Sequence, residues 1–210
     1  MEKIKAAPYH HGNLRNSLIA AAEPLLAEKG LTALSLREVA KAAGVSNAAP
    51  YRHFQDKAAL IEALAIEGFK SLKHGCIAAE KKYADDPARQ LTEAGMSYLF
   101  FAIKKPSIVH LMFGGVISLN DCGQELKQEA DDAFNSLKKI VINGQLSGIY
   151  QNTDPFELTL AAWSSVYGLS LMVISGLLAE RANSKTQIVK LAEAVAHTLL
   201  TGMLKPENRD

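Results

Sequence analysis

The stretch Ser35-Leu-Arg-Glu-Val-Ala-Lys-Ala-Ala-Gly-Val-Ser-Asn-Ala-Ala-Pro-Tyr-Arg-His-Phe54 reads as two short helices joined by a tight turn. Ser35 and Glu38 have the Ser-x-x-Glu spacing of a capping box, which satisfies two orphan backbone donors at a helix start. Leu36, Val39, Ala40 and Ala43 then fall on one apolar face. Gly44 stands where a residue able to take positive φ would end the helix. Ser46 opens a second helix over residues 47–53, only about 10 Å long at 1.5 Å per residue, so it needs a small core to anchor it. Pro50 would occupy its fourth position and lacks the N–H of the first intrahelical bond, so a tightened or irregular first turn is expected.

The second helix offers a surface suited to duplex DNA. Asn47, Ala48 and Ala49 are small or amide side chains that could enter a major groove without steric conflict. Ser46, Tyr51, His53 and Lys57 surround them with donors that could reach phosphate oxygens. Lys57 opens the following helix, where a cation is unfavourable without an anion nearby; a phosphate would supply one. Phe54 reads as packing for the short helix, and Tyr51 can pack or point its hydroxyl at a phosphate. Residues 1–57 carry a net charge of +3 and the remainder −2, for +1 overall. That asymmetry suits a duplex-facing head on a body that does not touch DNA.

Leu34 to Leu60 resembles the DNA-binding signature of the TetR family of bacterial transcriptional regulators. The resemblance lies in the capped helix, the Ala-Gly-Val-Ser turn, the Tyr-x-His-Phe exit and the Asp-Lys start of the next helix. It implies that Gly30 to Thr32 closes the first helix, that Tyr51 and Lys57 clamp phosphates, and that residues 46–52 are the recognition helix. Arg52 and His53 would contribute through partners that vary within the family. The fold implied is all-α, with a three-helix head over residues 1–56 and a larger helical effector-binding and dimerisation body over 57–210.

Periodicity elsewhere agrees with an all-helical chain. Leu14, Leu18, Ala21, Ala22, Leu25 and Leu26 give a first helix from near Asn13 that Gly30 stops. Arg15 and residues 3–12, with His10 and His11, form either an arm approaching the DNA backbone or a solvated cationic arm. A long helix running to about Glu80 starts with Leu60, Ile61, Leu64 and Ala65, and its tilt would set the spacing of paired heads. Asp86-Pro87 opens the next helix, which ends at Lys105-Pro106. A segment from Ile108 to Ile117 is interrupted at Gly114-Gly115, and Asn120-Asp121 is expected to cap the helix carrying Leu126 to Leu146. Asp154-Pro155 and Ser184 with Gln187 mark the last two helix starts.

Residues 158–178 are apolar enough to suggest a membrane span. Trp163, Ser164, Ser165, Tyr167, Gly168, Ser170, Ser175 and Gly176 interrupt that apolarity and the flanks lack anchors, so no membrane is expected. Wide apolar faces within 154–204 suit a four-helix homodimer interface. Trp163 to Gly168 also resembles the tryptophan, three residues, histidine, glycine motif of one TetR C-terminal class, with Tyr167 in place of histidine. Trp163 and Tyr167 suit either packing or ligand lining. The family resemblance implies an effector pocket, for which Phe100, Phe101, His110, Met112, Phe113, Phe134, Trp163, Tyr167 and Met172 are the candidates, and an effector that is small and mainly apolar or aromatic.

Enzyme chemistry is not expected: there is no phosphate-cradling glycine loop, supported Ser/His/acid set or His-Glu-x-x-His pattern. Neither a metal nor another cofactor is expected. His10, His11 and His53 lack completing ligands, and the two cysteines, Cys76 and Cys122, lack Cys-x-x-Cys spacing. With no signal peptide visible, the cytoplasm is the expected compartment. The sequence thus points to a ligand-responsive, homodimeric regulator of a palindromic DNA site. Repression is the expectation that follows from the family. A transcriptional activator of the same fold, or a helical interaction protein with a vestigial head, fits the same residues.

Overall fold

The computed structural model describes residues 14–118 and 120–205. They form eight α-helices: α1 Leu14–Ala33, α2 Leu36–Ala42, α3 Lys57–Lys82, α4 Pro87–Lys104, α5 Pro106–Phe113, α6 Gln124–Leu146, α7 Pro155–Ile174 and α8 Lys185–Met203. A 3-10 turn, Pro50–Arg52, lies between α2 and α3. Among the described residues the sole extended pairing is one antiparallel bridge, Tyr150 to Leu204. Residues 3–12, including His10 and His11, lie outside the described residues.

Local chemistry sets most helix ends. Ser35 Oγ accepts from Glu38 N at 3.2 Å, the first half of the capping box. The Glu38 carboxylate instead takes Lys29 Nζ at 3.0 Å, and that ammonium holds its carboxyl below the ordinary value. At the far end, Gly44 has φ +68. Its N–H donates to Lys41 O at 3.2 Å, and Val45 N donates to Ala40 O at 3.0 Å, the paired bonds of a Schellman turn. Asp86, Asp154 and Ser184 cap α4, α7 and α8 through Arg89 N, Phe156 N and Gln187 N. Gln187 Oε1 accepts from Asn183 N at 3.0 Å, one residue before the position a capping box would use.

Two starts and stops differ from the sequence reading. Asn120-Asp121 does not cap α6: Asp121 accepts from Ser118 Oγ at 2.9 Å, and Gly123 is the capping residue, without a side-chain bond. The helix expected over 47–53 is a turn followed by the 3-10 segment, so the irregularity expected from Pro50 is present and extends through the whole element. Pro24 sits inside α1, and the chain kinks at Gly30, whose φ is +73, so the regular helix ends where expected.

The chain divides into two compact units, one closing at Leu64 and the next beginning at Ala65, within α3. The first unit has a core of Leu18, Ala22, Leu34, Val39, Ala40, Phe54, Leu60 and Leu64, all nearly solvent-free. In the second, α4 lies against α6, α7 and α8, and α7 also packs on α6 and α8. One cluster there joins Cys76, Leu91, Leu137, Ile140, Val141, Tyr150, Ala162 and Met203. Another gathers Leu99, Leu169 and Ala192. Tyr150 seals the first cluster: its hydroxyl donates to Pro87 O at 2.9 Å and its ring fills the space where a side chain on Gly144 would stand.

Helix α7 meets the length and composition of a membrane span, with mean hydropathy 1.4. Little of it is buried, 22% of the apolar stretch, and Leu160, Leu171 and Met172 are more than two-fifths exposed, so an apolar face stands open. Gly168 has no atom within 4 Å of where a side chain on it would begin.

Candidate DNA-binding head and effector cavity

The short element after α2 is held from beneath and open above. Pro50 and Phe54 are buried, and Arg15 lies over the Phe54 ring, 5.7 Å from its centroid, within cation–π range. Its backbone is closed by Ala49 N to Ser46 O at 3.0 Å, His53 N to Pro50 O at 2.9 Å and Phe54 N to the same carbonyl at 2.9 Å. Those bonds leave Ser46, Asn47, Ala48, Arg52 and His53 exposed, Ala49 half-buried and Tyr51 53% exposed. Lys57 is held differently: its Nζ donates to Leu31 O at 2.6 Å and Thr32 O at 3.3 Å. Asp56 caps the start of α3 through Ala59 N at 2.9 Å. An exposed short element with mixed donors, on a packed support, can address DNA bases and phosphates together.

In the second unit a cavity of about 70 Å³ opens among α3, α4, α6, α7 and α8. Leu72, Cys76, Tyr98, Trp163, Val166 and Leu199 are part of its wall, and among the described residues no Lys, Arg, His, Asp or Glu lines it. Beside it stands an aromatic cluster. Trp163 and Tyr167 stack with planes 9° apart; Phe113 meets both rings edge-on at 5.3 and 5.5 Å; Tyr98 packs on Trp163 at 5.0 Å. Phe69 extends the cluster through Phe113. Burial pushes the Cys76 thiol and the Tyr98 phenol each up to about 12, so both stay neutral.

Comparison with known proteins places the head. Residues 18–64 match the family model described as bacterial regulatory proteins, tetR family. These residues form a TetR-family N-terminal domain. Over nearly the whole chain, a protein of unknown function from Rhodococcus sp. RHA1 is similar at 28% identity with TM-score 0.83, covering 95% of this chain and 100% of that one. The TetR-family regulator PfmR from Thermus thermophilus, 20% identical, shares the fold at TM-score 0.66 over 90% of this chain and 99% of its own. So does the regulator FadR from Bacillus subtilis, solved in complex with stearoyl-CoA, at 18% identity and TM-score 0.65 over 90% and 98%. Among curated proteins, the nucleoid occlusion factor SlmA of Actinobacillus pleuropneumoniae is 30% identical over 114 residues, 54% of this chain and 55% of that one. The chain spans about half the length of the curated relatives it matches. The fold is shared with solved TetR-family regulators.

Within this TetR-like body the residues proposed from sequence for an effector separate. Trp163 lines the cavity, whereas Phe113 and Tyr167 touch Trp163 without lining it. Met112 is buried under Gly68, where an added side chain would collide with its sulfur. Phe134 pairs with Phe156 at 5.6 Å, Lys185 lies over Phe100, His110 is exposed and packs against Gly114, and Met172 is on the surface. Phe101 is half-buried and outside the cavity wall. Tyr98 and Phe69 were not singled out from sequence, since each reads as one more apolar residue on its own helix. The available sequence signal was the spacing of Trp163 and Tyr167, which puts two aromatic rings one turn apart on α7.

Proposed function

We propose that the chain is a homodimeric transcriptional repressor that binds a palindromic operator through its heads and releases it when a small, mainly apolar or aromatic effector occupies the body. The observation that carries the DNA-binding part is the exposed Ser46–His53 surface on a buried Pro50 and Phe54 anchor, inside the matched family domain. Asn47, Ala48 and Ala49 approach base edges; Ser46, Tyr51, Arg52 and His53 approach phosphates or bases; Lys57 adds charge through the N–H its carbonyl partners leave. The exposed apolar face of α7, continuing to Leu177 at 73% exposure, supports pairing of two copies through residues 154–204. Residues up to about Leu64 act as the reading head and the rest as the effector and pairing body. Leu72 and Cys76 of α3 line the cavity, and the same helix begins at Lys57, so occupancy can bias the heads through α3. Such a bias is limited to the effector's differential affinity for the two states.

Genome-wide footprinting of the purified protein, repeated with metabolite extracts, tests the whole reading. Specific palindromic sites released by an extract fraction support it. Occupancy no better than random duplex would favour a helical interaction protein, and extract-strengthened occupancy with raised transcription would favour an activator.

A further inference from the structure

Helices α3 and α6 meet through charge. Lys73, Cys76 and Glu80 follow at helical spacing along α3, and Glu129, Asp132 and Lys139 do the same along α6. Lys73 Nζ bridges Glu129 Oε2 at 2.6 Å and Asp132 Oδ2 at 3.2 Å. Two turns further along α3, Glu80 takes Lys139 Nζ at 3.1 Å. The Lys73 and Glu129 side chains are only 22% and 17% exposed, so solvent screens this pair less than one on the open surface. Gln128 Nε2 holds the other oxygen of Asp132 at 2.8 Å, which fixes that carboxylate where the ammonium reaches it. The hydrogen bond to Glu129 outweighs partial burial and raises the Lys73 ammonium above its ordinary value.

Cys76 stands on α3 between the two ion-paired positions, buried in the core cluster that includes Leu137 and Ile140 of α6. Without Lys73, Glu129 and Asp132 would face each other one turn apart as like charges with no counterion, which disfavours the closed seam beyond the loss of the pair itself. We propose that Lys73 is an electrostatic latch on the α3–α6 seam: with both carboxylates engaged it holds the middle of α3 against α6 and keeps Cys76 shut in, and its release opens the seam locally while the rest of the body stays folded. The latch is a property of the body alone and stands whether or not the cavity takes an effector. Because α3 begins at Lys57, an open seam frees the body end of the helix that enters the first unit.

Cys76 itself reports the opening. Burial pushes its thiol up to about 12, so it is inert while the seam is closed, and DTNB, a bulky aryl disulfide that reacts with exposed thiolate, does not fit the cavity of about 70 Å³ beside it. The full-length protein carrying Cys122→Ser is labelled with DTNB at about pH 8, without urea and in urea well below the unfolding midpoint. Lys73→Met is expected to speed labelling about tenfold, between the effects of losing an exposed and a buried pair, with no added dependence on urea, the mark of local opening. Lys73→Arg, whose guanidinium can span both carboxylates, should stay within about threefold of the native rate. So should Lys82→Met, which removes an exposed ion pair to Glu93 of α4. An unchanged rate in Lys73→Met, a rise that only follows a lowered urea midpoint, no rescue by Lys73→Arg, or equal acceleration by Lys82→Met overturns the latch. If Lys73→Met does not fold, Glu129→Gln decides: labelling faster by about threefold or more supports the latch, and an unchanged rate overturns it.

Discussion

Lys57 Nζ donates to the carbonyl of Leu31 at 2.6 Å, tying the start of α3 to the segment that follows the Gly30 kink. With Thr32 O as a second acceptor, the ammonium adds hydrogen bonds to carbonyls in the last turn of α1, where intrahelical donors run out. The same side chain can therefore stabilise the head and contribute charge to DNA binding. Lys57→Ala is expected to lower stability by about 1 kcal/mol and to reduce the slope of log affinity against log salt by about one. Thermal unfolding and titrations at several salt concentrations separate the two effects. An unchanged slope with lowered stability would leave Lys57 as a purely structural clamp.

Tyr51 and Asn47 divide differently. Tyr51 is 53% exposed and Asn47 is exposed on the turn before Pro50, so substitution at either leaves the Phe54 anchor in place. Tyr51→Phe should weaken binding to every duplex by a similar factor of about 2–10, the worth of one hydrogen bond, whereas Asn47→Ala should change which sequences are selected. Binding-site selection from a random library reads both. An unchanged selected motif with Asn47→Ala would remove base readout from that residue.

Helix ends were legible in the sequence wherever the deciding bond is local. Ser35, Asp86, Asp154 and Ser184 each accept from an N–H two or three residues ahead, and Gly44 takes the positive φ its position calls for. What the sequence hid depends on distant partners. Lys29, nine residues away, draws Glu38 from the reciprocal half of its capping box; the Ser118 bond to Asp121 is the local exception, three residues apart. Lys57 looked like an unpaired cation at a helix start until Leu31 and Thr32 were brought to it. The division of the Ser46–Phe54 segment into exposed residues and a buried Phe54 anchor was legible because it falls within a few residues. The cavity was not, because its wall is assembled from five helices and Tyr98 of α4 meets Trp163 of α7 only once the chain is folded.

Pairing of two copies can be tested without weakening the protomer. An added side chain at Gly168 meets open space within the chain, and replacing a mid-helix glycine strengthens helix α7 by up to about 1 kcal/mol. Gly168→Leu should therefore leave the single chain as stable as before or more so, while obstructing a partner helix that approaches this face. Sedimentation at micromolar concentration should show the native protein as a dimer and the variant shifted toward monomer. A native protein that sediments only as monomer would contradict the dimer, and an unchanged dimer in the variant would move the interface away from Gly168.

Alkaline pH should unfold the body before it affects the surface. Burial raises the Cys76 thiol from 9.0 to about 12, with Glu80 adding to the shift. It raises Tyr98 from 10.0 to about 12, against a smaller opposing effect of Ser170, and raises Tyr150 as well, with Asp86 adding to burial. In each group the folded state resists losing a proton that the unfolded chain gives up earlier. The stabilisation is thus complete below about pH 9, the ordinary thiol value, and is lost as pH climbs toward 12. Each group contributes a slope of up to about 1.4 kcal/mol per pH unit within its own window. Urea midpoints should hold steady from pH 7 to 8.5 and then fall. In Cys76→Ala the fall should begin about one unit later, where tyrosine ionisation starts, because the thiol is the first of the three to ionise in the unfolded chain. A native midpoint constant to pH 11, or an onset unmoved by Cys76→Ala, would show that these side chains do not remain protonated inside the body.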